Sequence, residues 1–333
     1  MANISVIGSG SWGTAIAWLL CNNGHQVTIW SYLKEETEMF LANHENTDKL
    51  PGVKLPDDVQ YTCNLQEAIE GRDVLVLAVP SPVVRSTAKS MCPFVKEGQL
   101  IVSLAKGIEE STLMTMSAVE EQEIPQANIA VLSGPSHAEE VGRGLPTTIV
   151  AGAHDKETAE RVQRIFMSPV FRVYTSSDML GIQIGASLKN VIALAAGIAD
   201  GIGYGDNSKA ALITRGSAEI TRLGLAMGAN PKTLLGLSGI GDLFVTCASV
   251  HSRNRNAGYL IGQGYSMEDA MEKVHQVVEG VYSARAGLLL GRKYHIEMPI
   301  VETINKVLFE GMTASDGVKE LMMRTGKDEL ESW

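Results

Sequence analysis

Short apolar runs of strand length recur along the first half of the chain and alternate with segments of helical periodicity. The run at residues 74–79 is apolar at every position, which is typical of a strand buried on both faces of a parallel sheet. Helical patterns lie between such runs, for example at residues 65–70 and 155–167. The alternation predicts a doubly wound, mostly parallel sheet. The predicted strands are residues 4–7, 26–30, 73–80, 99–104, 128–132, 147–151 and 171–174.

The pattern changes after about residue 178, where strand signals vanish. Long stretches rich in Ala, Leu, Gly and Met then predict helices at residues 184–199, 208–223 and 267–292. We therefore expect two domains, an α/β domain over residues 1–177 and an all-helical domain over residues 178–333.

Three glycines follow the first predicted strand at G-x-G-x-x-G spacing, and an apolar helix pattern follows them. Gly8 allows the tight turn after the strand, Gly10 lets the backbone approach a pyrophosphate, and Gly13 lets the helix pack closely on the strand. The helix N-terminus offers N–H groups to the phosphates. The motif alone also arises by chance in a glycine-rich chain, but the flanking strand and helix favour a dinucleotide-binding Rossmann domain.

The composition is that of a globular protein, with 45% hydrophobic and 20% charged residues among 333. The formal net charge of −10 argues against nucleic acid or an anionic membrane as the main partner, because both need a positive surface. An anion-binding site must therefore be a local cluster of basic side chains.

Targeting and redox signals predict a cytoplasmic protein. No basic and apolar leader precedes the first strand, and no apolar run reaches the ~18 residues of a membrane span, so we expect no integral membrane segment. The four cysteines form neither a C-x-x-C pair nor a zinc spacing. We expect reduced thiols and, because the seven histidines show no ligand pattern, no metal.

Two ionisable residues stand alone in apolar surroundings of the predicted helical domain. Lys189 is either buried, where desolvation lowers its pKa toward the range useful for proton transfer, or a side chain that extends to the surface. Asp242 is either a buried carboxylate that needs a cation, for which Lys189 is a candidate, or an ordinary helix N-cap after Gly241.

Three further segments carry candidate chemistry. The cluster of Ser252, Arg253, Asn254 and Arg255 suits a phosphate, although a solvated loop has the same composition. Lys106 follows a predicted strand at the sheet edge where ligands of open α/β sheets bind, or it is an exposed loop lysine.

Residues 133–140 combine a strand end with a helix start, and we expect Ser136 to be the N-cap of that helix. His137 at this helix start and His251 farther along are interpreted as partly exposed histidines without a catalytic role.

Together these segments resemble the bacterial NAD(P)-dependent glycerol-3-phosphate dehydrogenases, and the resemblance spans nearly the whole chain. Seven motifs occur in the family's order, which is far more specific than any one of them. They are residues 8–15, 105–107, 133–136, 187–191, 239–247, 252–255 and 278–280.

The resemblance implies a Rossmann domain followed by an all-helical domain, and reversible reduction of dihydroxyacetone phosphate to sn-glycerol 3-phosphate for phospholipid synthesis. It implies that Lys189 transfers the proton and that Asp242 supports it. The implied substrate-binding residues are Lys106, Gly134, Ser136, Lys189, Asn190, Asp242, Thr246, Ser252, Arg253 and Asn254. The implied coenzyme-binding residues are Gly8, Gly10, Ser11, Trp12, Gly13, Tyr32, Lys106, Ala138, Arg253, Val277 and Glu279.

The chain departs from the family after the second predicted strand. Many members carry an arginine there for the 2′-phosphate of NADPH, but this chain has Tyr32, and no acid stands at the strand end to bind a free ribose 2′-hydroxyl. Lys34 is the nearest cation. We therefore expect either NADPH or NADH to serve as coenzyme.

Two rival functions remain open at the level of the sequence. One is a dehydrogenase of the same plan acting on another hydroxyacid or alcohol, which would not need the basic phosphate cluster. The other is a nucleotide sensor without catalysis, which would not need Lys189 and Asp242. The apolar helical half also suggests a homodimer.

Overall fold

The structure is a computed structural model and describes residues 1–329. The chain forms two compact units. Unit 1 comprises Met1–Ala105 and Met116–Met179, and unit 2 comprises Lys106–Thr115 and the chain from Leu180 onward. The domain boundary expected between residues 177 and 178 stays a prediction, because the division observed here also assigns the inner segment Lys106–Thr115 to unit 2.

Unit 1 contains an eight-stranded sheet in the order β3-β2-β1-β4-β5-β6-β7-β8. Neighbouring strands are parallel except for β6 and β7, which are antiparallel. This confirms the expected doubly wound, mostly parallel sheet. The strands are β1 Asn3–Ile7, β2 Gln26–Trp30, β3 Gln60–Thr62, β4 Val74–Leu77, β5 Leu100–Ser103, β6 Asn128–Ser133, β7 Thr147–Ala153 and β8 Phe171–Ser176.

The central strands are buried on both faces, as their apolar sequences require. Every residue of β4 and of β5 is buried. Helices of unit 1 supply the covering layers; α7 begins where Asp155 accepts a hydrogen bond from the backbone N–H of Thr158. These helices are α1 Ser11–Asn22, α2 Lys34–Asn43, α3 Leu65–Ile69, α4 Val84–Met91, α5 Met116–Glu123, α6 Ala138–Val141 and α7 Lys156–Phe166.

Within its described part, the regular elements of unit 2 are all helices, apart from one isolated antiparallel bridge between Ile108 and Thr115. A π-helical turn, Leu237–Gly241, precedes α11. The helices are α8 Met179–Ile202, α9 Asp206–Ala226, α10 Pro231–Leu234, α11 Asp242–Ala248, α12 Arg253–Gly262, α13 Met267–Val274, α14 Glu279–Lys293, α15 Pro299–Phe309 and α16 Ala314–Met322.

The expectation of a single helix over residues 267–292 is wrong, because the chain breaks between α13 and α14. His275 ends α13 in the left-handed conformation, with φ of 55°. The β-branched residues Val277 and Val278 follow before α14 begins, and such residues favour extended backbone.

The central helix of unit 2 is α8. By length and composition α8 would span a membrane, and α10 to α12 pass the same test as a bent pair, but the apolar window of α8 is 100% buried inside the protein. The backbone of α8 lies directly against that of α12. A Cβ added to Gly258 would lie 2.2 Å from the carbonyl oxygen of Leu194, and one added to Gly197 would lie 2.0 Å from that of Arg255. Glycine is therefore required on both sides of this helix crossing.

The segment Lys106–Thr115, which we call the strap, leaves unit 1 after β5 and returns to it at α5. Ile108 is buried in the hydrophobic core of unit 2. Its bridge with Thr115 closes the strap on itself. The strap therefore places Lys106 in unit 2, although the residue before it, Ala105, belongs to unit 1 and β5 ends only three residues earlier.

Candidate active site

Lys189 lies on α8 and is only 6% exposed, so its side chain does not extend to the surface. Its Nζ donates hydrogen bonds to Asp242 Oδ1 at 2.6 Å and to Thr246 Oγ1 at 2.8 Å. Asp242 and Thr246 are one turn apart on α11 and therefore share a face of that helix. Of the two alternatives left by the sequence, the structure shows the buried one.

Asp242 is 1% exposed and joins two lysines. Its second carboxylate oxygen, Oδ2, accepts a hydrogen bond from Lys106 Nζ at 2.8 Å. Asp242 is the first residue of α11, the preceding residue is Gly241, and the carboxylate contacts lysines instead of capping the helix. The cluster of Lys106, Lys189 and Asp242 thus carries two positive charges and one negative charge.

Burial and the neighbouring charges shift the pKa values of Lys189 and Asp242. Burial is the largest cause that lowers the pKa of Lys189 to about 8; the charge of Lys106 acts in the same direction, and the attraction of Asp242 opposes them. Burial acts to raise the pKa of Asp242, but Lys106 and Lys189 outweigh it and hold that pKa below its usual range. Lys189 can therefore exchange a proton near neutral pH, while Asp242 stays ionised.

Two buried amides lie beside the lysine cluster. Asn254 Nδ2 donates to Asn190 Oδ1 at 2.9 Å, and the backbone N–H of Gly280 donates to Asn254 Oδ1 at 2.8 Å. Asn190 follows Lys189 in α8, so this pair links the starts of α12 and α14 to the helix that carries Lys189.

The first turn of α12 carries the phosphate candidates. Ser252 caps this helix by accepting a hydrogen bond from the backbone N–H of Arg255, whose guanidinium pairs with Asp200 at 2.7 Å. Arg253 is half-buried, and its Nη1 donates to Gln276 Oε1 at 3.3 Å. A ten-residue helix whose first turn holds an arginine and no acid is a favourable place for an anion.

The segment Gly8 to Gly13 of unit 1, which we call the glycine loop, has a backbone that fits a dinucleotide. A Cβ on Gly8, which has φ of +123°, would lie 2.7 Å from the carbonyl oxygen of Ala78, and a Cβ on Gly13 would lie 2.1 Å from that of Gly8. Gly10 has no such neighbour within 4 Å, so its backbone is open to approach. The helix α1 begins at Ser11, and within residues 1–329 the buried indole N–H of Trp12 has no hydrogen-bond partner.

Models of one family match both halves of the chain. The N-terminal model of NAD-dependent glycerol-3-phosphate dehydrogenase matches residues 3–159, and the C-terminal model matches residues 178–319. The chain belongs to this family.

Relatives and solved structures agree with the family models. A protein of Agathobacter rectalis named glycerol-3-phosphate dehydrogenase [NAD(P)+] is 62% identical over 332 residues, which cover 100% of this chain and 99% of that one. One of the same name from Fusobacterium nucleatum is 57% identical over 335 residues, with full coverage of both. A crystal structure of glycerol-3-phosphate dehydrogenase from Coxiella burnetii matches with a TM-score of 0.94 at 34% identity, covering 97% of this chain and 99% of that one. This family is NAD(P)-dependent, and unit 1 is its NAD(P)-binding Rossmann domain.

The site residues expected in this dehydrogenase divide between the units. Direct contacts connect four of them, and the amide pair of Asn190 and Asn254 adjoins those four. The four in direct contact are Lys106, Lys189, Asp242 and Thr246. Ser252, Arg253, Val277 and Glu279 also lie in unit 2, at the starts of α12 and α14 or just before them. The glycine loop, Tyr32, Gly134, Ser136 and Ala138 lie in unit 1.

The expected N-cap at Ser136 is wrong. The Ser136 hydroxyl donates back to the carbonyl oxygen of Gly134 at 2.9 Å, and α6 begins at Ala138 with His137 as the preceding residue. Gly134 has φ of +148°, and the Ser136 hydroxyl bonds the carbonyl two residues before it instead of an N–H group of the helix after it.

Sequence reasoning missed one acidic side chain near the glycine loop. Glu36 contacts the hydroxyls of Ser9 and Ser31 and forms an ion pair with Lys49. No acid stands at the end of β2 in sequence, but the first turn of α2 brings one there. An acid in the first turn of the next helix was the available signal. As for metals, no cluster of three or more His, Cys, Asp or Glu suited to an ion occurs among residues 1–329.

Proposed function

We propose that this protein catalyses the reversible reduction of dihydroxyacetone phosphate to sn-glycerol 3-phosphate with NADH or NADPH. The observation that carries the proposal is the buried Lys189, which Asp242 and Thr246 hold while a second lysine, Lys106, shares the same carboxylate. The printed names of its relatives specify the same substrate.

Lys189 is the proposed proton donor in the reductive direction. When bound, the nicotinamide supplies the hydride that adds to the ketone carbon. The ketone oxygen then gains negative charge, and Lys189 hydrogen-bonds it and delivers its proton, giving the alcohol. Because burial lowers the pKa of Lys189 to about 8, the amine can regain a proton from solvent near neutral pH. In the oxidative direction the neutral amine takes the proton back.

Asp242 and Lys106 have supporting roles in this proposal. Asp242 orients the Lys189 ammonium and keeps it charged against the cost of burial. Lys106 adds positive charge, which favours an anionic substrate and the developing oxyanion. Two cations beside one carboxylate leave the cluster with a net charge that suits a substrate of opposite sign.

We assign the substrate phosphate to the start of α12. Arg253 offers a two-pronged donor, and the first turn of α12 adds backbone N–H groups near Asn254. Binding of the remote phosphate holds the reacting carbon in place. Ser252, Gly134 and Ser136 complete the proposed substrate contacts, as the family resemblance implies.

The coenzyme assignment follows the glycine loop. The backbone of Gly10 and the first turn of α1 hold the pyrophosphate, and Ser11 and Trp12 lie in that turn. The remaining coenzyme contacts, which the family resemblance implies, are Tyr32, Lys106, Ala138, Arg253, Val277 and Glu279.

We further propose that the protein works in the cytoplasm as a homodimer and supplies glycerol 3-phosphate for phospholipid synthesis. Four free cysteines agree with a reducing compartment. Light scattering on the purified protein tests the dimer, and cell fractionation tests the location.

A cuvette assay tests the activity itself. Purified protein with NADH or NADPH should lose absorbance when dihydroxyacetone phosphate is added, and unphosphorylated dihydroxyacetone should be a poor substrate. Absence of any coenzyme oxidation with the phosphorylated ketone would contradict the proposed function. Equal use of the two ketones would contradict the phosphate assignment at Arg253.

A further inference from the structure

The carboxylate of Glu36 joins the glycine loop to the end of β2. Its Oε2 accepts a hydrogen bond from Ser31 Oγ at 2.7 Å and also contacts the hydroxyl of Ser9. Ser9 lies between the first two glycines of the loop, and Ser31 is the first residue after β2. The Ser9 carbonyl oxygen accepts from Asn46 Nδ2 at 2.7 Å, which fixes the loop on its other side.

Glu36 is a charged group with a partner of its own. Lys49 Nζ donates to Glu36 Oε1, and the Lys49 backbone N–H donates to Asn46 Oδ1 at 2.8 Å. The side chains of Glu36 and Lys49 are 12% and 34% exposed. Burial acts to raise the pKa of Glu36, but hydrogen bonds from Lys49, Ser9 and Ser31 outweigh it and lower that pKa. Glu36 therefore stays ionised at neutral pH.

The position of this pair matches one end of the coenzyme. In a Rossmann domain the pyrophosphate lies on the glycine loop, and the adenosine ribose lies at the carboxyl end of the second strand. The Glu36 carboxylate accepts hydrogen bonds from both Ser9 and Ser31, so it lies next to the expected place of the ribose 2′ substituent. An acid there accepts a hydrogen bond from a free 2′-hydroxyl and repels a 2′-phosphate, whereas a lysine attracts the phosphate.

We propose that Glu36 and Lys49 together select at the 2′ position of the coenzyme, with Glu36 favouring NADH and Lys49 favouring NADPH. The inference rests on the proposed function, because it takes the coenzyme to bind at the glycine loop. The opposite charges offset each other, so the wild-type protein accepts both coenzymes with little preference. Tyr32, which is 83% exposed, adds no charge to this balance.

Binding of each coenzyme alone tests the proposal without relying on turnover. Dissociation constants for NADH and NADPH are measured from the fluorescence of the reduced nicotinamide, for wild type, Glu36→Gln, Lys49→Met and the double variant. Removing one charge near a phosphate in partly exposed surroundings should change the preference about tenfold. Glu36→Gln should shift it toward NADPH and Lys49→Met toward NADH.

The double variant should return close to the wild-type preference, because it removes both charges. Both single-variant shifts should shrink as salt rises, since Lys49 is partly exposed. A purely structural role for the pair would weaken both coenzymes together and would not reverse in the double variant. If Glu36→Gln proves unstable, Lys49→Met alone still decides the sign of the effect.

A matched pair on the same helix provides the controls. Lys34 and Glu38 lie 3.4 Å apart and are both exposed. Glu38→Gln should leave the preference unchanged, and Lys34→Met should do so too. A shift in Lys34→Met with none in Lys49→Met would overturn the proposal and assign the cation to Lys34.

The outcomes separate this inference from the proposed function. Variants that reduce dihydroxyacetone phosphate with an unchanged coenzyme preference overturn the inference alone. A wild-type protein that binds neither coenzyme overturns both.

Discussion

Replacing Lys189 with methionine tests the centre of the proposed mechanism. Methionine has a similar length and fills the buried space on α8, but it has no proton to donate. The variant loses the hydrogen bonds to Asp242 at 2.6 Å and to Thr246 at 2.8 Å. We expect turnover to be nearly lost while NADH binding is kept, because the glycine loop belongs to unit 1.

Lys189→Met should lower both the rate of turnover and the stability of the fold, by different amounts. Loss of a positioned general acid costs about 10²–10⁴-fold in rate, which corresponds to about 3–5 kcal/mol. Removing one partner of a buried ion pair destabilises a protein by about 3–5 kcal/mol when the other charge is left alone. Here Lys106 Nζ remains 2.8 Å from Asp242 Oδ2, so the stability loss should fall below that range. The rate loss should therefore exceed what unfolding explains.

The assay combines kcat, coenzyme affinity and thermal stability, each measured across pH. Reduction needs the protonated amine, so the wild-type rate of reduction should fall as pH rises through about 8, the pKa to which burial lowers Lys189. Oxidation of glycerol 3-phosphate needs the neutral amine and should increase over the same interval. Both dependences should disappear in Lys189→Met.

Lys209→Met is the matched control. Lys209 also pairs with an aspartate of unit 2, the partly buried Asp200, since its Nζ lies 2.9 Å from Asp200 Oδ1. This variant should keep a rate close to wild type and the same pH dependence. Near wild-type kcat in Lys189→Met, with the pH dependence intact, would exclude Lys189 as the proton donor.

Three further predictions concern other parts of the molecule. Arg253→Ala should lower kcat/KM for dihydroxyacetone phosphate by a factor that corresponds to about 2–4 kcal/mol, and kcat/KM for unphosphorylated dihydroxyacetone should stay nearly unchanged. An equal loss with both substrates would make Arg253 structural. Tyr32→Arg should raise kcat/KM for NADPH relative to that for NADH, and the gain should shrink as salt rises. An unchanged ratio would show that residue 32 does not lie near the 2′-phosphate. Gly258→Ala should lower Tm, because the added Cβ would lie 2.2 Å from the Leu194 carbonyl oxygen and overpacking costs about 1–3 kcal/mol; Gly205→Ala, whose Cβ meets nothing within 4 Å, is the control.

The sheet was predictable because its central strands are short and mostly apolar, and β4 is apolar at every position. The strand that sequence missed, β3, has three residues, pairs with β2 alone and begins at the exposed Gln60, so it carries no apolar run. The prediction of one helix over residues 267–292 was wrong for a different reason. The amphipathic pattern continues through a break that His275 imposes by its left-handed backbone.

The candidate site was predictable as a set of residues but not as an arrangement. Lys189 and Asp242 are 53 positions apart, and Lys106 and Asp242 are 136 apart. Local patterns carry no information on contacts over such separations, so each residue kept an alternative explanation until the fold brought them together. Glu36 was missed for another reason. It lies five residues beyond Ser31, in the first turn of α2, and the helix brings its carboxylate back to the Ser31 hydroxyl at the end of β2.

The strap has a consequence for how this protein can be divided or recombined. A gene cut between β8 and α8 would give an N-terminal fragment that carries Lys106 without its partner Asp242. The C-terminal fragment would lack Ile108, which is buried in its own hydrophobic core. We expect neither fragment to fold as it does in the whole chain, and a nucleotide-binding half taken from another enzyme would bring a foreign strap with it. We therefore expect that a recombinant exchange of unit 1 keeps unit 2 intact only if residues 106–115 of this chain are retained with unit 2.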